Sequence, residues 1–144
     1  MSTLEEHVDI GVPADLAWDF LHRVENYPRF LTGVHEAHAE GGGRARLGVT
    51  AGGRTREVDT EITDHDQGRT MEWQTTSGPG LAGSFTLQPV DAQHTRLSTR
   101  LEYDPAAVRE AFGGPGGFAQ AIAVERLAHS GLEQCRRLLE QGAR

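Results

Sequence analysis

Residues 118–141 read FAQAIAVERLAHSGLEQCRRLLEQ, a run of helix formers with no interior proline. At 100° per residue, Ala121, Ile122, Val124, Ala128, Leu132, Cys135, Leu138 and Leu139 share one broad apolar stripe. The stretch therefore predicts a long amphipathic helix that must bury one face. Gly131 sits inside that stripe at a cost of about 1 kcal/mol against alanine. A close approach to a sheet, or to a ligand, would account for it.

What precedes the helix decides what it packs on. Between residues 34 and 103 the apolar period is mostly two, with strands expected at about 34–40, 44–51, 54–64, 70–76, 81–89 and 94–103. One face collects His35, Ala37 and Ala39; Ala45, Leu47 and Val49; Arg56, Val58, Thr60 and Ile62; Met71, Trp73 and Thr75; Leu81, Gly83, Phe85 and Leu87; and Leu97, Thr99, Leu101 and Tyr103. The other face is charged and polar, which is the pattern of an antiparallel sheet covered on one side. Many of the 18 glycines punctuate the strands, at 41–43, 52–53, 78 and 80, as hairpin turns require. A further cluster at 113–117 directly precedes the long helix.

Upstream, residues 4–11 alternate as another strand. Pro13 and Asp15 then suit a helix start, and Ala17, Phe20, Leu21 and Val24 follow at helical spacing. Pro28 is expected to stop this helix, with one more short turn over 27–31. Asp104-Pro105 ends the last strand, and 106–112 reads as a helical turn or two. The expected fold class is α+β: one domain over 1–144, a curved antiparallel sheet of six or seven strands wrapped around the C-terminal helix, with two short helices after the first strand.

Composition narrows the function. The chain is 37% hydrophobic and 24% charged, with a net charge of −7. That balance argues against nucleic acid and against anionic membrane surfaces as partners. A lone cysteine, Cys135, permits no intrachain disulfide and no thiolate zinc site. No signal peptide and no membrane span are legible, so the expected location is cytoplasmic. The oligomeric state is not legible.

The inner face is rich in small residues (Ala37, Ala39, Ala45, Thr60, Thr75, Gly83, Thr99), while two Trp, two Tyr and five Phe supply the bulk. Either a cavity lies between sheet and helix, or the helix sits closer to the sheet. The cavity reading is preferred.

Two stretches, VPADLAWDF at 12–20 and VENYPRF at 24–30, resemble the SRPBCC superfamily, also called START-like or birch-pollen-allergen-like, and within it the polyketide cyclase/dehydrase branch. FTLQPV at 85–90, TRLS at 95–98 and LEYDP at 101–105 are similar to that family's last two strands. The resemblance implies the helix-grip fold with a deep hydrophobic cavity. Its members include aromatase/cyclases, quinone and lipid binders, hormone-binding proteins and small resistance proteins. Aromatase/cyclases of the family resemble one another in a pocket arginine and a tyrosine whose places here hold Ile62, Thr75 and Val34. That counts against the cyclase reading.

Candidate chemistry is sparse. Glu125 falls in the helix stripe and His129 lies one turn later, so they form either a general acid/base pair or a surface pair. His35 is a third catalytic candidate, or a structural donor on the inner face. Arg56 would orient a ligand oxygen at the cavity mouth or stay in water. Thr60, Thr75, Thr99 and Tyr103 offer hydroxyls to a ligand, and Ile62, Trp73, Phe85 and Ile122 offer apolar wall. No metal site and no cofactor motif are expected. The glycines at 113–117 either hinge a lid or form a plain loop. The partner this predicts is a small hydrophobic, aromatic or polyketide-like molecule. The rival readings are a polyketide cyclase/dehydratase working by proton transfer, and an accessory interaction protein with a filled interior.

Overall fold

The computed structural model describes residues 1–51, 53–65, 69–114 and 116–142. Gly52, read above as part of a hairpin turn, and Pro115, within the 113–117 cluster, lie outside them. Seven strands run in the order β1 (Ser2–Ile10), β2 (Val34–Gly41), β3 (Arg44–Ala51), β4 (Arg54–His65), β5 (Thr70–Thr75), β6 (Leu81–Asp91) and β7 (His94–Tyr103). Among the described residues, four α-helices, α1 (Ala14–His22), α2 (Tyr27–Phe30), α3 (Pro105–Phe112) and α4 (Gly117–Glu140), and one 3-10 turn (Val24–Asn26) complete the architecture. The spatial order is β1-β7-β6-β5-β4-β3-β2, and every neighbouring pair is antiparallel. Sequence-adjacent β1 and β2 thus form opposite edges, with α1 and α2 carrying the chain between them. This is the helix-grip fold that the sequence predicts.

The hairpins turn where glycine is required. Gly43 closes β2 into β3 at φ 76°, and a Cβ there would lie 2.7 Å from the Ile62 carbonyl oxygen, so both conformation and space exclude a side chain. Pro28 does not stop α1. The helix ends earlier, at His22, and Pro28 sits in the first turn of α2, where its missing N–H costs nothing. Two buried side chains beyond the end take the carbonyls left over in α1. Asn26 Nδ2 donates to Phe20 O at 2.9 Å, and the Tyr27 hydroxyl donates to Leu21 O at 2.8 Å.

The main core joins α1, α2, the sheet and the second half of α4. Ile10, Phe20, Leu21, Met71, Leu97 and Cys135 are among its largest fully buried side chains, and burial of the larger apolar ones contributes about 1.5–3 kcal/mol each. Gly131 is explained here, though by α2 and not by the sheet. A Cβ at 131 would lie 3.3 Å from both Phe30 O and Leu31 Cδ2. The end of α4 is tied to β1 by Glu140, whose Oε2 accepts from the Gly11 N–H at 2.8 Å. Among the described residues no helix is long and apolar enough to cross a membrane.

Candidate functional site: the space between sheet and helix

The helix engages the sheet along only half of its length. Its buried aliphatic and thiol side chains, Leu132, Cys135 and Leu139, all lie in the second half. Residues seven apart on a helix share nearly the same direction, so Phe118, Glu125, Leu132 and Leu139 form one line. Leu132 and Leu139 are 4% and 3% exposed, Glu125 is exposed, and Phe118 is 81% exposed. The line that is sealed at one end of the helix is open at the other.

The sheet shows the same gap. Val58, Tyr103 and Phe112 are buried but stand apart from the main core. Several other inner-face residues are only half-buried: Val49, Ile62, Trp73, Thr75, Leu81, Thr99 and Leu101. Ile122, Val124 and Ala128 of α4 are half-buried too. Strands β5 and β6 are central in the sheet. Their helix-facing side chains stay accessible only where protein does not fill the space above them.

One end of this space is covered by α3. Asp104 caps its start, accepting from the Ala106 N–H at 3.0 Å. Its last carbonyls accept from two arginines of β4: Arg54 Nη1 to Glu110 O at 3.1 Å and Arg56 Nε to Ala111 O at 2.8 Å. Cations are favourable at a helix C-terminus, where the carbonyls are unpaired. Gln120, buried in α4, donates to Pro105 O at 3.0 Å and ties the two helices together.

The expected site residues fall out unevenly. Glu125 and His129 are both exposed, and among the described residues they make no hydrogen bond to each other. His35, expected on the inner face, lies on the outer one. A bulge in β2 shifts the register between Val34 and Glu36, so the imidazole covers Gly48 and its Nδ1 sits 3.2 Å from Thr50 Oγ1. The three proton-transfer candidates are therefore not brought together. Arg56 is engaged with α3 and does not hang free at a mouth. Of the hydroxyls, Thr75 donates to Pro79 O at 2.9 Å and accepts from the Leu81 N–H at 2.9 Å, while Thr99 donates to Ser84 O at 3.2 Å. Tyr103 is buried with no hydrogen bond among the described residues. Phe85 belongs to the main core, and Ile62 and Trp73 pack at its margin.

Smallness of the inner face turns out to be partly spent on packing. A Cβ at Gly83 would lie 2.6 Å from the Trp73 indole, so that glycine makes room for a side chain and not for a ligand. Ala37 and Ala45 are buried in the core, and Ala39 is exposed. The gap rests on the half-engaged helix instead. Arg54 and Gln120 were not singled out from sequence. Gln120 did carry a signal, as a polar residue four before Val124 in the helix stripe.

Burial pushes the Cys135 thiol up to about 12 and raises the Tyr27 phenol strongly, so both stay protonated at neutral pH. Neither faces the gap as an ionised group. Among the described residues no group of three or more His, Cys, Asp or Glu is placed to hold a metal ion. Two surface depressions lie away from the gap and have mostly polar walls. One, of about 300 Å³, is on the outer face among Glu61, Glu72, Ser84 and Arg100. The other, of about 340 Å³, runs between α2 and α4 beside Arg29, Ser130 and Arg137.

Comparison with known proteins agrees with this architecture. The chain is 28% identical over 142 residues to an uncharacterized 17.2 kDa protein from the melC2-rnhH intergenic region of Streptomyces lincolnensis, covering 98% of this chain and 91% of that one. It is similar in structure to the Zhui aromatase/cyclase of Streptomyces sp. R1128, with TM-score 0.71, 22% identity and 99% of both chains covered. A START superfamily protein from Mycobacterium smegmatis matches with TM-score 0.68 and 17% identity, over 96% of this chain and 94% of that one. At such identities the two structures speak for the fold alone. The model of the family described as polyketide cyclase/dehydrase and lipid transport matches residues 1–140, and the chain belongs to that family.

Proposed function

We propose that the protein binds one small hydrophobic molecule, aromatic or polyketide-like, between the inner face of the sheet and the first half of α4, and serves as a carrier, sequestering or resistance protein. The observation that carries this reading is the half-buried inner face of the central strands beneath a helix whose buried apolar side chains all lie in its second half. An accessory protein with a filled interior would not leave central strands accessible. Family membership and the aromatase/cyclase likeness keep a cyclase or dehydratase in view as the rival. Against it stand Glu125 and His129, exposed and unbonded to each other, and His35, on the opposite face of the sheet. Proton-transfer catalysis needs its groups within reach of one bound molecule.

Native mass spectrometry decides between the two. The protein is incubated with a panel of hydrophobic compounds that includes reactive poly-ketones, and both complex and released compound are weighed. Binding with release at unchanged mass is expected. Release of a compound that has lost water faster than in a protein-free control would make the protein a catalyst. A panel with no complex at all would remove the binding reading.

A further inference from the structure

Thr60 lies on β4 between Val58, which is buried, and Ile62, at the margin of the main core. Its pairing partners are Ala45 on β3 and Thr75 on β5. The residue is 4% exposed, and its Oγ1 is a buried side-chain atom left without a hydrogen-bond partner among the described residues. Burying a hydroxyl without a partner is unfavourable, and valine would fill the same volume at no such cost. Nothing nearby answers it. Ala45 has no polar side chain, the Thr75 hydroxyl is committed to Pro79 and Leu81, and the Thr99 hydroxyl is committed to Ser84.

We propose that Thr60 is the hydrogen-bonding handle of the pocket, and that the ligand is a neutral molecule whose carbonyl or hydroxyl oxygen is buried against the Thr60 hydroxyl. The inference rests on the binding reading above and adds the ligand's chemical class to it. Ligand pockets are mostly apolar, with a few polar groups that set orientation, and Thr60 is such a group in apolar surroundings. A hydroxyl both donates and accepts, so it matches either kind of oxygen. A charged head group does not fit, because one neutral donor cannot compensate the burial of a full charge. As the side chains stand, neighbours seal the hydroxyl from water, so ligand entry has to displace some of them.

The test uses the full chain with two matched probes, 1-naphthol and naphthalene, and the variants Thr60→Val and Thr60→Ser. Affinities are measured by ligand-observed NMR titration, and melting temperatures without probe. Thr60→Val is expected to weaken 1-naphthol binding about tenfold, the loss of one hydrogen bond, while naphthalene binds as before or more tightly. Its melting temperature should equal or exceed that of the wild type, since the orphaned hydroxyl is gone. Thr60→Ser keeps the hydroxyl and should keep the preference for 1-naphthol. Equal loss of both probes in Thr60→Val, or no loss of 1-naphthol, overturns the role of Thr60 and leaves the pocket standing. A wild-type protein that takes up neither probe, nor any compound of the wider panel, overturns the pocket and the handle together.

Discussion

Trp73 and Gly83 face each other across the β5–β6 register, and the indole fills the space that a Cβ at 83 would need. The Arg100 carbonyl oxygen closes the other side, 2.5 Å from the same point. Gly83→Ala should cost about 1–3 kcal/mol in urea denaturation, as overpacking does. Adding Trp73→Leu to it should recover part of that cost. An equal cost with and without the indole would place the obstacle at the Arg100 backbone instead. Cys135 makes a second case at this scale. Its thiol, pushed up to about 12 by burial, should resist an aromatic disulfide reagent at pH 8 until denaturant is added. Rapid reaction in buffer alone would contradict its place in the core. The apolar stripe of the C-terminal helix already puts Cys135 on the face that must be buried. Gly83 was misread because its smallness is consumed by a residue ten positions away, on another strand.

The elements that frame the gap differ in how firmly they are held. Helix α3 is anchored by Asp104, by the two β4 arginines and by Gln120, and has little buried apolar surface beyond Phe112. The double variant Arg54→Ala/Arg56→Ala should raise amide exchange in 105–112 by about tenfold or more, with the main core unchanged. Unaltered exchange there would mean that the arginines merely rest on the helix. In α4, amides of 131–139 should exchange more slowly than those of 119–127, and a bound hydrophobic compound should protect the first half selectively. The periodicity of α4 was plain in the sequence, but which half engages was not, because an amphipathic stripe names the face and not the distance to its partner. His35 shows the same limit. Its alternation with Ala37 and Ala39 pointed inward, and a single bulge, set by pairing with β3, turned it outward.

At the scale of the whole molecule, alkaline stability follows from the two buried acids. Cys135 is raised from an ordinary 9.0 and Tyr27 from 10.0, so the folded chain keeps protons that the unfolded chain releases. Their contribution is complete below about pH 9 and is lost as the pH climbs towards 12, with Cys135 acting first. Urea midpoints should therefore fall between pH 9 and pH 11. Cys135→Ala should flatten the first part of that fall, and a variant that falls just as steeply would exonerate the thiol. Strand number, the antiparallel order of hairpins and the closing helix were written in the sequence, because period two, glycine turns and period 3.6 are local properties of the chain. The family resemblance rested on the same local stretches, and it carried as far as the fold. What occupies the space between sheet and helix depends on contacts between residues far apart in the chain. Only the tertiary structure could show that Trp73 takes the room above Gly83, that Arg56 holds α3, that His35 faces outward and that Thr60 is left with an unanswered hydroxyl.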